Sequence, residues 1–268
     1  VDAWNEGRYN GWIDAKRSGN KDYKKVPMTM GHYTREDLPF YYALADAFTI
    51  CDQHYCGIMT STTPNRSSFW SGTVRDHSTP NSRVFMRNDQ YDRGGMTWKT
   101  YPERLTEAGI PWKFYQNDVT HSGLEGDYDG WLGNFGCNLL EFFAAYNIAA
   151  YPGYVKEQNQ SIANYTTEIA DLENQLSTAN DPDLISRLQS RMDHAKQRIA
   201  ECKAALANAG EELYNKLTPQ QKTLYHSAFV TNAADPDYHS LESLPFTDNG
   251  QNLTMNVPKG DILYQFRK

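Results

Sequence analysis

The sequence predicts an α/β sandwich built on a mainly parallel sheet flanked by helices, with an inserted antiparallel helical hairpin projecting from it. Amphipathic helical stretches alternate with short apolar, β-prone runs in the first half of the chain, which is the pattern of a sheet covered by helices. A later region places apolar residues at alternating steps of four and three, the spacing of paired helices. The 268 residues are 39% hydrophobic and 13% aromatic, enough to bury a core of enzyme size.

Thr34 with the first-turn acids Glu36 and Asp37 opens a predicted helix over 35–47, in which Leu38, Tyr41, Tyr42, Ala45 and Phe48 recur at helical spacing. Phe48-Thr49-Ile50-Cys51 follows as a predicted strand. In TSTTPNRSSFWSGT, residues 60–73, Thr63 reads as an N-cap and Pro64 as the first residue of a helix that stops near Gly72. Tyr101 to Ala108 reads as a helix ended by Gly109, Pro111 to Tyr115 as a strand, and Trp131 to Tyr146 as a further helix rich in Leu and Phe. Ile162, Ile169, Leu172 and Leu176 then keep heptad-compatible spacing. After Asn180-Asp181-Pro182 the series Leu188, Met192, Ala195, Ile199, Cys202, Leu206, Ala209 and Leu213 completes the hairpin. Asp181 caps its second arm and Pro182 takes the first helical position. Thr218-Pro219 begins one more helix, through about Phe229, before a Pro-, Asp- and Asn-rich stretch with short extended pieces. The resulting division is an α/β core over 1–154, a hairpin insertion over 155–217 and a return to the core over 218–268.

The formal net charge of -7 argues against non-specific nucleic-acid binding, which needs a surplus of Lys and Arg on one face. No apolar run approaches the roughly 18 residues of a transmembrane segment. The opening VDAWNEGRYNGWIDAK has no basic region followed by an apolar one, so it does not read as a signal peptide. Cys51, Cys56, Cys137 and Cys202 form no CxxC pair, which argues against structural zinc. Cys51 and Cys56 either bridge a short loop or stay free thiols, and Cys202 falls on the apolar stripe as a small core residue. The seven histidines show no HxH or HxxxH spacing. Glu125, Asp127 and Asp129 cluster in a Gly-rich loop that reads either as a solvated turn or as a calcium site.

A helix starting at Pro64 leaves its first N–H groups unpaired and carries about half a positive charge at that end. An anion beside Thr62 or Thr63 is therefore stabilised, and Asn65 and Arg66 in the same turn add donors. A hydroxyl held at such a point can attack a phosphate whose charge the helix end also stabilises. The same spacing describes an ordinary Ser/Thr-rich loop with a Thr-Pro cap, and spacing alone leaves both readings open.

The stretch MGHYTREDLPFYYALADAFTICDQHYCGIMTSTTPNRSSFWSGT resembles the core of the bacterial phosphoesterase family that contains the non-haemolytic type phospholipases C and related acid phosphatases, within the alkaline-phosphatase-like superfamily. WNEGRYNGWIDAK, TYPERLTEAGIPWKFYQND, GLEGDYDGWLGNF, DPDYHSLESLPF and VPKGDILYQFR extend the resemblance over nearly all of the chain except the hairpin. It implies an alkaline-phosphatase-like sheet and hydrolysis of phosphate mono- or diesters, with phospholipid a possible substrate. In that family a Ser or Thr two residues before Pro-Asn-Arg is both nucleophile and metal ligand, which here is Thr62, with Thr60, Ser61 and Thr63 as neighbours if the register differs. The implied reaction passes through a phospho-threonine, and the implied cofactor is a divalent metal ion whose identity the sequence does not give. His54, eight residues before Thr62, and His239, in a family-like stretch, are candidates to touch phosphate or protonate the leaving group. The resemblance also implies a periplasmic or secreted enzyme.

The family's acidic segments ENRSFD and DENDG, which supply most metal ligands, are absent from these 268 residues. The chain is therefore expected to be an internal piece whose N- and C-terminal partners lie elsewhere, with little or no phosphatase activity alone. Two alternatives stand beside this reading: an interaction protein that works through the hairpin, and a phosphate-binding pseudoenzyme.

Overall fold

The structure is a computed structural model that describes the chain apart from residues 1, 18, 27, 78, 120–130, 133–135 and 249. The chain forms two compact units, Val1–Tyr55 and Cys56–Lys268.

The first unit contains short 3-10 turns and two helices, α1 (Trp12–Ala15) and α2 (Pro39–Ala47). α2 begins four residues later than the sequence predicts. The Asp37 carboxylate accepts from the Thr34 amide and hydroxyl, both at 2.7 Å, so Thr34 closes a turn ahead of the helix. These bonds hold the Asp37 carboxyl below its usual pKa. Pro39 disfavours helical backbone at the residue before it, and Leu38 sits outside the helical region at φ -130°, leaving Pro39 as the first helical residue. Residues 48–51 are not a strand: they have no ladder partner among the described residues, and Phe48 and Ile50 are 72% and 68% exposed. Ala3 is the only buried residue described in this unit.

The second unit holds α3 (Thr62–Ser71), α4 (Tyr101–Glu107), α5 (Pro152–Thr178), α6 (Pro182–Leu206), α7 (Gly210–Lys216), α8 (Pro219–Ala228) and the strands β1 (Leu241–Asp248) and β2 (Gln251–Pro258). α4 starts with a capping box in which Glu103 accepts from the Thr100 amide and hydroxyl at 2.8 Å, and Gly109 turns the chain away at φ +70°.

The helix predicted over Trp131–Tyr146 is helical at Trp131 and Leu132, but from Leu139 it gives way to 3-10 turns at Leu139–Phe142 and Ala144–Tyr146, with another at Ile148–Ala150; residues 133–135 lie outside the described set. Backbone groups that would close an α-helix are used elsewhere. The amides of Gly94 and Met96 take the Glu141 and Phe142 carbonyls at 2.9 and 2.8 Å, and the Ala144 amide takes the Met96 carbonyl at 2.8 Å. Asn147 then adopts left-handed backbone at φ 54°. Leu139, Leu140, Phe143, Tyr146 and Ile148 are almost wholly buried, so this segment is the centre of the core rather than an amphipathic cover.

Among the described residues, the regular sheet is the antiparallel ribbon of β1 and β2, with Leu241 opposite Pro258 and Asp248 opposite Gln251. Parallel pairing occurs as isolated bridges, Met96 to Phe143 and Tyr115 to Val230. The second lies in the segment predicted as a strand: Phe114 and Gln116 donate to the Ser227 and Val230 carbonyls at 2.8 and 3.1 Å. The mainly parallel sheet the sequence predicts is not seen among the described residues beyond these two bridges.

α5 and α6 pack along each other after the short link 179–181. Asp181 accepts from the Asp183 amide at 3.0 Å and Pro182 takes the first position of α6. Arg191 pairs with Glu168 at 2.7 Å, and Arg198 bonds Tyr165. Residue numbers rise on one arm as they fall on the other, which is antiparallel pairing. Leu172, Leu188, Ala195 and Cys202 are buried. Cys51, Cys56 and Cys202 are free thiols, with Cys51 and Cys56 exposed.

Candidate active site

The loop 58–61 and the start of α3 position the hydroxyl cluster. Ser61 is the N-cap, and Thr62, Thr63 and Pro64 are the first three helical residues, so the helix starts earlier than the Thr63 cap the sequence predicts. The first bond of the helical pattern is Asn65 N–H to the Ser61 carbonyl at 3.4 Å. Pro64 therefore stands where a helix needs no donor, and its missing N–H breaks nothing. The Thr63 amide donates to Asn88 Oδ1 at 2.8 Å. Among the described residues, the Thr62 amide has no partner, and the Thr62 side chain is exposed. Ser61 Oγ is buried and lacks a hydrogen-bond partner among the described residues.

Asn65 and Arg66 build this turn. Asn65 Oδ1 accepts from the Ile58 amide at 3.0 Å, and Nδ2 donates to the Thr60 and Ser61 carbonyls at 3.2 and 3.0 Å. Thr60 donates its hydroxyl to the Met86 carbonyl, and Arg66 donates to the Cys137 carbonyl at 2.5 Å. The Asn65 side chain and one Arg66 nitrogen thus hold the loop and the helix.

The start of α3 borders a cleft of about 800 Å³. Thr63, Asn88 and Arg93 line it from the body; Gln158, Ser161, Arg198 and Glu201 line it from α5 and α6. Arg93 is clamped between Glu141, wholly buried, and Glu157, and also donates to the Val119 carbonyl at 3.1 Å. Burial works against the guanidinium charge, but the two carboxylates outweigh it and hold the Arg93 pKa above its usual value.

His239 is held by its neighbours. Its Nε2 lies 2.9 Å from Asp118 Oδ2, its ring stacks on Tyr238 at 3.9 Å, and its backbone is left-handed at φ 60°. Burial and the Asp118 charge push the Tyr238 hydroxyl pKa up. His54 is exposed and belongs to the first unit. Glu125, Asp127 and Asp129 lie outside the described residues.

Thr62 alone offers one oxygen to a divalent cation, which takes four or more ligands. Among the described residues no group of three His, Cys, Asp or Glu could hold a metal, so the side chains placed here do not fit the implied ion by themselves. Sequence reasoning missed Asn88, Arg93, Glu141 and Glu157. Arg93 and Glu157 stand 64 positions apart, and no motif links them.

A profile of the Phosphoesterase family matches residues 1–231. The non-hemolytic phospholipase C of Burkholderia pseudomallei is 41% identical over 156 residues, 56% of this chain and 20% of that protein. Phospholipase C B of Mycobacterium tuberculosis is 36% identical over 106 residues, 40% of this chain and 20% of that protein. The non-hemolytic phospholipase C of Pseudomonas aeruginosa is 39% identical over 113 residues, 40% of this chain and 14% of that protein. The chain thus aligns with about a fifth or less of the length of these relatives, and no solved structure matches it. An exposed hydroxyl at the mouth of a helix, a polar cleft beside it and a profile match over most of the sequence converge: the chain belongs to the Phosphoesterase family.

Proposed function

We propose that this chain is part of an enzyme that hydrolyses phosphate esters, with Thr62 as nucleophile. The observation that carries the reading is an exposed hydroxyl on the first residue of α3, whose own amide has no partner among the described residues. Thr62 Oγ attacks phosphorus and the bond from phosphorus to the leaving alcohol breaks. The phospho-threonine is then opened by water, which returns the hydroxyl and releases phosphate or a phosphomonoester. The unpaired amide and the helix end stabilise the anion. Thr63, at the cleft edge, contacts the substrate, while Asn65 and Arg66 hold Thr62 in place. His239, its ring oriented by Asp118, is the candidate to protonate the leaving group.

The substrate class is phosphate mono- and diesters, including phospholipid head-group esters, in line with the phospholipases C that the chain resembles. A divalent metal would take Thr62 as one ligand and most of its other ligands from residues beyond these 268, and its chemistry there would be activation of a hydroxyl and neutralisation of phosphate charge. The whole enzyme would carry this chain's core segments, 1–154 and 218–268, on a mainly parallel sheet with residues 155–217 inserted, and would work in the periplasm or outside the cell. No described helix is long and apolar enough to cross a membrane.

The test uses the polypeptide that includes this chain and its flanking segments. Thr62→Ala lowers turnover of both p-nitrophenyl phosphate and p-nitrophenyl phosphorylcholine by on the order of 10³ or more. Wild-type rates in that variant would remove Thr62 from the reaction.

A further inference from the structure

The base of the hairpin is a wall of the cleft at the start of α3. Glu157, Gln158 and Ser161 fall on one stripe of α5. Arg198, Glu201 and Cys202 make the facing stripe of α6 at the same three- and four-residue spacing. Cys202 is buried as the floor, while Ser161 is half-buried and Arg198 keeps 44% of its side chain exposed. Arg198 is steadied by Glu201 and Tyr165, so its guanidinium is placed rather than free.

We infer that this wall selects the substituent that the phosphate carries besides its leaving group, and that it accepts a polar substituent in preference to an alkyl chain. The inference rests on the proposed reaction at Thr62. An acyl or alkyl chain packed here would strip water from Gln158, Ser161, Arg198 and Glu201 without replacing its hydrogen bonds. A polar substituent replaces them, with Gln158, Ser161 and Arg198 as donors in the lining. Specificity then comes from the inserted element while the nucleophile stays on the body, so the hairpin tunes which ester is cleaved without touching the bond that breaks.

Two variants of the same longer polypeptide test this: Ser161→Trp, which fills the cleft from the α5 side, and Arg198→Ala, which removes a placed donor from the α6 side. The probes share a leaving group: p-nitrophenyl phosphate carries no substituent and p-nitrophenyl phosphorylcholine carries a polar one. The expected result is a fall of about tenfold or more in kcat/KM for the substituted ester, with the unsubstituted one within about twofold. Equal losses on both esters, or no loss on either, in variants whose urea midpoint is unchanged, would overturn the inference. Arg198→Ala keeps the test decisive if Ser161→Trp does not fold. Thr62→Ala separates the two ideas: if it is inactive while the hairpin variants leave the ratio unchanged, the reaction stands and the wall does not. If it keeps wild-type turnover, both fall.

Discussion

Asn65 carries more of the loop at the start of α3 than any hydroxyl beside it, because its amide closes hydrogen bonds to residues 58, 60 and 61. Asn65→Ala leaves those backbone groups short of partners and lowers stability by about 1–3 kcal/mol. Urea unfolding followed by tryptophan fluorescence reads this, and an unchanged midpoint would mean that the loop is held by something else. The buried tyrosines make a second prediction at this scale. Burial, with Tyr214 adding to it, raises Tyr225 to about 12, and burial also raises Tyr146, Tyr151 and Tyr238. A tyrosine held neutral in the folded state contributes stability that is complete below its unfolded pKa near 10 and is lost as pH rises through the folded value. Stability should therefore fall between about pH 10 and pH 12, with tyrosinate absorbance rising cooperatively as the chain unfolds. A smooth, non-cooperative titration centred near 10 would show these rings to be solvated.

Among the elements, those with chemistry at both ends were readable, and those decided by distant partners were not. Asp181 and Pro182 start α6 as their sequence signature requires, since an N-cap carboxylate and a ring-fixed φ act locally. Gly72 closes α3 at φ 71° for the same reason. Thr34 failed as a helix cap because Asp37 took it into a turn, and Pro39 set the boundary. The 139–146 segment failed as a helix because residues 94–96 claimed its backbone, a partner 46 to 48 positions away. The paired arms α5 and α6 depend on their apolar stripe, where Leu172 is 1% exposed. Leu172→Ala should cost about 2–5 kcal/mol, read as a lower urea midpoint. A loss under about 0.5 kcal/mol, the size of an ordinary surface change, would mean the stripe is not packed.

At the scale of the molecule, the two units differ in what holds them. The second has a continuous aromatic and aliphatic core around Leu139, Phe143 and Tyr146. In the first, Ala3 is the one buried residue described, while Phe40, Tyr41 and Phe48 are 71%, 64% and 72% exposed. Few buried apolar contacts mean a low free energy of local opening. Amides of α2 should exchange with deuterated water much faster than those of α5 and α6, by mass spectrometry of peptic fragments. Equal protection would show that α2 is stabilised by burial not visible here.

The sequence by itself determined the family resemblance, the helical stretches with local caps, and Thr62 as the residue to ask about, because propensity, capping and motif spacing act within a few residues. Only the tertiary structure decided that α3 starts at Thr62, that Asn65 and Arg66 tie its first turn to neighbouring carbonyls, that Arg93 is clamped by Glu141 and Glu157, and that the base of the hairpin faces the cleft. Those outcomes rest on backbone and side-chain partners tens of residues apart, and the free energy of such pairs is set by burial and geometry that no local pattern encodes.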